Sequence, residues 1–230
     1  MNRILSLLTI LSVCIALAAA GGCAESSAPA EGDAAPAATQ PAGPVYRTAE
    51  ELLAYLKTLK TGEDRLAMID LVHAATTAEQ MTRRFTRSID RARMEYARAI
   101  NETFAPEGEP LMPTDLGMGA FHEALAAAIV EQVSPVRVRV KYTTDDGTER
   151  AVVLERWGTW KLHISTLRDG EEFSTVWYSM HQGQFAGLLK YHREVTELIR
   201  AGEFATAEEA QARLDELLAG PMPPFGSVQP

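Results

Sequence analysis

The chain has 230 residues, 46% hydrophobic and 23% charged, with a formal net charge of −9 and two cysteines. That much apolar content with mixed charge excludes a disordered chain, and two cysteines make neither a disulfide-stapled miniprotein nor a four-cysteine zinc site. The acidic balance argues against a nucleic-acid partner, because neutralising phosphates takes clustered Lys and Arg.

The N-terminus has one basic residue, Arg3, then an apolar run from Ile4 to Ala19 and the small residues Ala20, Gly21 and Gly22 before Cys23. A run of about 16 residues is short for a spanning helix, which needs about 20. It has the layout of a secretory signal peptide over residues 1–22. Ala20-Gly21-Gly22-Cys23 resembles the lipobox of bacterial lipoproteins, departing from it at Ala20, where Leu is usual. The resemblance implies that Cys23 is the mature N-terminus and carries acyl chains. It also implies, since Ala24 and not Asp follows, a place in the outer membrane facing the periplasm. The alternative is ordinary cleavage after Ala20, since Ala18-Ala19-Ala20 also fits the small-x-small rule, which would give a soluble periplasmic protein.

Residues 23–44 are rich in Ala, Pro, Gly, Ser and acids without a large apolar side chain, the composition of a flexible tether. Residues 45–219 are long enough for one domain with a core of its own. Thr48 and Glu51 form a capping pattern before Leu52, Leu53, Leu56 and Leu59, and Gly62 is expected to stop that helix. A second helix is expected over residues 63–75, burying Leu66, Ile69 and Val72. Thr77 and Gln80 begin a third, whose stripe of Met81, Phe85, Ile89, Ala92, Tyr96 and Ile100 keeps a period near 3.6. Three prolines make 105–115 a loop. A fourth helix is expected over 118–132, with Phe121, Leu125, Ala128 and Ile129 on one face.

The period then changes. Val136, Val138, Val140 and Tyr142 alternate with Arg137, Arg139 and Lys141, Asp146-Gly147 marks a hairpin, and strands at 151–157 and 160–164 complete a three-stranded antiparallel meander. A long helix is expected over 173–201, bent or broken at Gly183 and Gly187. Thr206 and Glu209 cap a last helix before a flexible tail, residues 220–230. The fold class is α+β: N-terminal helices on a small antiparallel meander, followed by C-terminal helices. The stretch from Val138 to Ile164, with its Asp-Gly turn and Trp160-Lys161-Leu162, resembles the sheet of the nuclear-transport-factor-two-like superfamily. That resemblance implies helices covering one face of a curved sheet, in a superfamily that holds both enzymes and binding modules.

No histidine pairs with another at metal-binding spacing, and no phosphate loop or nucleophile elbow is present, so neither metal nor cofactor is expected. Acid–base work would fall to His122 with Asp115 or Glu123, and Gly117-x-Gly119 is a weak anion-binding helix start. Trp157, Trp160, Trp177 and Phe121 are the candidate lining of a small apolar pocket, with core packing the commoner use of such residues. Arg84, Arg87, Arg91 and Arg98 fall on one face of the third helix, roughly opposite its apolar stripe, as a basic surface for an acidic partner or lipid headgroups. The sequence therefore favours a lipid-anchored envelope protein with a non-enzymatic interaction or ligand-binding module. The alternative is a cone-like α+β enzyme or small-molecule binder with a pocket between helices and sheet.

Overall fold

A computed structural model describes residues 44–223 and 227–230. The expected signal peptide, Cys23 and the expected tether up to residue 43 lie outside the described residues. In chain order the elements are α1 (Ala49–Leu56), α2 (Gly62–Asp70), α3 (Thr77–Phe104), α4 (Met118–Ala126), β1 (Ile129–Ser134), β2 (Arg137–Thr143), β3 (Glu149–Trp157), β4 (Thr159–Leu162), a 3-10 turn (Ile164–Arg168), α5 (Thr175–Arg200) and α6 (Ala207–Ala219). The α+β class holds.

Side-chain caps set the helix starts. Thr48 Oγ1 accepts from the Glu51 N–H at 3.1 Å, and Glu51 closes the box on the Thr48 backbone. Gly62 does not stop α1. It is the first residue of α2, which Thr61 and Asp64 cap reciprocally, and the Thr114 carbonyl and Met94 sulfur occupy the space where a Cβ would stand. At α3 the working box is Thr76 with Glu79, one residue earlier than the Thr77–Gln80 pattern. The two patterns overlap, and the charged carboxylate wins because it meets the helix N-terminal dipole with a stronger acceptor.

The sheet has four antiparallel strands in the order β1-β2-β3-β4, one more than the expected meander. The extra strand comes from the expected fourth helix, which ends at Ala126; Ile129–Ser134 pairs with β2 instead, Ile129 opposite Lys141 and Gln132 opposite Val138. Beta-branched Ile129, Val130 and Val133 favour this extended pairing over continued helix. At the other end, β4 stops at Leu162, and Ile164 is buried at the start of the 3-10 turn.

Alternation gives the sheet two unlike faces. Val138, Val140, Val152, Leu154, Trp160 and Leu162 point into the main core, where Leu52 and Leu56 of α1, Met68 of α2, and Met118 and Leu125 of α4 cover them. The other face carries Arg137, Arg139, Lys141, Glu155 and Lys161. Beside this layer α3 and α5 run against each other, with Phe85, Ile89, Ala92 and Leu189 in one cluster, and Tyr96, Ile100, Val195 and Ile199 in another that α6 closes with Ala210 and Leu214.

The expected break in the long helix does not occur, and α5 is continuous through Gly183 and Gly187. The glycines serve packing instead. Met222 and Pro223 lie against Gly187, and the Tyr191 hydroxyl donates to the Pro221 carbonyl at 2.9 Å, so the described start of the tail is seated on α5. Further on, Val228 packs beside the Phe85 cluster.

Candidate interaction surface

The four aromatic residues picked as pocket lining do not meet. Trp157 and Trp160 sit three positions apart across the β3–β4 hairpin, and period-two alternation sends them to opposite faces. Trp160 is buried in the main core, where Phe121 packs at the margin, its ring edge-on to Tyr142 at 5.4 Å. The space between sheet and helices is filled by these side chains together with Leu125 and Leu154. Burial pushes the Tyr142 phenol up to about 12.

Trp157 stays 45% exposed and stacks on His73, ring centroids 4.1 Å apart. Behind this pair lies a cluster that sequence reasoning did not single out. Arg137 Nη2 donates to both carboxylate oxygens of Glu155 at 3.1 Å, and Glu155 lies 3.6 Å from His163 Nε2. Ser165 Oγ is 2.9 Å from His163 Nδ1. The available signal was register: Glu155 opposes Lys161, two residues before His163.

A serine, a histidine and a carboxylate in line invite a nucleophile reading. Two observations oppose it. The Ser165 backbone N–H also donates to Nδ1, at 3.2 Å, so the ring is the N-cap of the 3-10 turn. Ser165 is only 4% exposed, out of reach of a substrate. Burial lowers the His163 pKa despite the nearby Glu155 charge, which favours the neutral ring that a capping acceptor needs.

Among the described residues His122 forms no hydrogen bond or ion pair with Asp115 or Glu123, and its buried Nδ1 has no hydrogen-bond partner. The Asp115 carboxylate instead accepts from the Gly117 and Gly119 N–H groups at 3.1 and 3.0 Å, so the weak anion site at the start of α4 is filled by the chain's own acid. The other two ring systems, His181 and His192, each hold the carbonyl four residues back, Trp177 O and Leu188 O, at 2.7 Å.

Half of the basic stripe on α3 is neutralised by α2. Arg87 pairs with Asp70 at 2.9 Å and Arg98 with Glu63 at 3.0 Å, while Arg84 and Arg91 stand exposed without an ion pair among the described residues. Arg65 of α2 likewise reaches the buried Asp90 of α3 at 3.0 Å. The stripe therefore works as the seam between two helices, and two guanidinium groups remain for solvent.

A charged depression and an apolar patch are both accessible on the described surface. A depression of about 200 Å³ at the end of β3 is lined by Arg139, Lys141, Glu149, Arg150, Asp169 and Glu171, among others. It is small beside the roughly 300–1,000 Å³ of ligand pockets. Two of its cations are also already paired, Arg150 with Asp169 at 3.0 Å and Lys141 with Glu131, outside the lining, at 2.9 Å.

The other feature is apolar. In the first turns of α5, Val176 and Met180 are 70% and 72% exposed, one turn apart on the same side of the helix. Trp177 beside them is fixed on several sides. Arg168 sits 4.3 Å over its ring, His181 stacks at 4.5 Å, and Phe173 and Phe185 meet it edge-on. Among the described residues no helix is long and apolar enough to cross a membrane, and no group of three or more His, Cys, Asp or Glu could hold a metal ion. No family model, curated protein or solved structure matches the chain.

Proposed function

We propose that the protein is a lipid-anchored component of the bacterial envelope whose α+β body is a non-enzymatic interaction module, held at the outer membrane through acyl chains on Cys23. The tether of residues 23–44 sets the body at a distance from the bilayer. Each buried CH₂ contributes about 0.8 kcal/mol, so several chains on one residue hold firmly. For the body, the carrying observation is the pair Val176 and Met180, exposed on a helix start that the Trp177 stack keeps rigid. A rigid apolar patch spends little ordering entropy when a partner covers it, and its aromatic–Arg bracing is the composition that interface centres favour. The order of helices followed by antiparallel strands, ending in Trp160-Lys161-Leu162, is what supports kinship with the nuclear-transport-factor-two-like superfamily.

The anchor is tested by mass spectrometry of the mature N-terminus together with membrane fractionation. The expected product begins at an acylated Cys23, and Cys23→Ala shifts the protein to the soluble fraction. An intact Met1 in protein from the native host, or a Cys23→Ala form that stays with the membrane, refutes the anchor. The patch is tested with a photo-crosslinking residue at position 180 in intact cells, with position 197 on the same helix as control. A discrete adduct is expected at 180 alone; equal labelling at both positions refutes the patch.

A further inference from the structure

The two edges of the sheet are treated differently. Beside β4 the chain closes its own edge: the Trp160 N–H donates to Tyr46 O at 2.9 Å, the Leu162 N–H to Leu71 O at 3.2 Å, and the His73 N–H to Leu162 O at 2.8 Å. Beside β1 no described segment does the same. Ladder alternation tells which groups are left open there. The Arg156 N–H donates to Val136 O, which places the even residues of β2 on β3 and the odd ones, 139 and 141, on β1. Their partners Glu131 and Ile129 therefore bond inward, and Val130 and Gln132 direct N–H and C=O outward. The side chains are as unguarded as the backbone. Ile129, Val130 and Val133 are 69%, 56% and 50% exposed, the pattern that isolated sheets avoid on a free edge.

We propose that β1 is a self-association edge, at which two copies of the chain pair antiparallel about a two-fold axis at Glu131 and join their sheets into one of eight strands. The register follows from complementarity. Pairing Val130 with Gln132 of the second copy uses every outward group of both residues in four backbone hydrogen bonds. It also sets Ile129 opposite Val133 of the second copy on one face, burying both. The two Glu131 side chains face each other at the axis, and each already carries its own Lys141 at 2.9 Å, which lowers the carboxyl pKa and offsets the like-charge contact. Tyr46, near the start of the described chain, bridges to β4 at the other edge, and Pro29, Pro36, Pro41 and Pro44 lack the N–H that a ladder needs. A six-residue strand covers less than the roughly 800 Å² per partner of a standard interface, so the pair is reversible and concentration-dependent.

The test uses the full chain with Cys14 and Cys23 replaced by Ala, so that one engineered thiol is present. Glu131→Cys places two thiols on the axis at a non-hydrogen-bonded pair, with Cα atoms about 4.5 Å apart, inside the disulfide range. Val130→Cys places its thiols on a diagonal, out of that range. Mild oxidation is expected to link Glu131→Cys about tenfold faster than Val130→Cys. Sedimentation of the parent is expected to show a concentration-dependent dimer, weakened at least about tenfold by Val130→Lys with no change in circular dichroism. A monomer at every concentration overturns the proposal. So does a dimer that survives Val130→Lys, or equal linking at 130 and 131.

Discussion

Gly183 and Gly187 of α5 are four residues apart on one helix face, and alanine at each should have opposite consequences. In a helix interior Ala is favoured over Gly by about 1 kcal/mol. At position 183 a Cβ would meet Met222 Cβ at 3.6 Å and Pro223 O at 3.8 Å, ordinary van der Waals contact. Gly183→Ala should therefore keep the gain, about 1 kcal/mol, or roughly 2–4 °C in Tm for a chain of this size. At position 187 the new methyl would fall on Met222 Sδ, with Pro223 Cδ at 3.4 Å and Tyr191 Cε2 at 3.5 Å behind it. Met222 must leave its seat, and the propensity gain is spent on displacing it. Gly187→Ala should be neutral or destabilising in the parent, yet recover about 1 kcal/mol when Met222→Ala has cleared the space, a coupling that a double-mutant cycle reads directly. Thermal and urea unfolding of the four combinations supplies the numbers. If Gly187→Ala stabilises as much as Gly183→Ala whether or not Met222 is present, the chain after Gly220 is not seated on α5 and the reasoning fails.

The buried His192 predicts the direction of acid sensitivity. Burial holds its pKa below the ordinary value of 6.5, so the unfolded chain binds the proton more tightly, and its contribution is complete above that value and lost as pH falls below it. Urea unfolding between pH 8 and pH 5 should show stability declining on the acid side, by at most about 1.4 kcal/mol per pH unit from this residue, and His192→Gln should flatten that decline; an unchanged slope removes His192 from the explanation. Gly170 and Gly147 both hold positive φ, +93° and +80°, but only Gly170 has a neighbour in the way, Ala151 Cβ at 2.7 Å from an added Cβ. Gly147→Ala should cost about 1 kcal/mol of backbone strain and Gly170→Ala clearly more; equal losses in urea titrations would mean that Ala151 does not confine that turn.

What the sequence made legible, and what it hid, follows from where each signal resides. The stripe of α3 was readable because helical burial is local: Phe85, Ile89, Ala92, Tyr96 and Ile100 lie on one side whatever they pack against, and all five are buried. The Thr61–Asp64 cap is masked in the sequence by Gly62, which in isolation is a helix breaker. Its actual reason is the approach of Thr114 and Met94 from distant parts of the chain. Strand β1 was hidden more deeply. Phe121, Leu125, Ala128 and Ile129 repeat at helical spacing and Ala fills the gaps, so the helical period runs past the helix end, while the β-branched residues that begin at Ile129 find their hydrogen bonds only on β2.

The functional residues obey the same division. Trp157, Trp160 and Trp177 are near one another in sequence, and a hairpin with period-two alternation separated the first two, while the 3-10 turn carried Arg168 over the third. The four arginines of α3 show in the sequence as a helical spacing, but Asp70 and Glu63, which take two of them, come from another helix. The features left to explain are those where side chains or backbone are displayed without an internal use. Val176 and Met180 are an apolar pair on a braced helix start, and β1 is an apolar strand on an edge that no described segment covers. An α+β body that closes its β4 edge with Tyr46 and His73 could have been built to close the other, since one proline or inward lysine is enough to do so. That no described segment takes up the outward backbone groups of Val130 and Gln132 is therefore the feature on which a recognition role for this sheet depends.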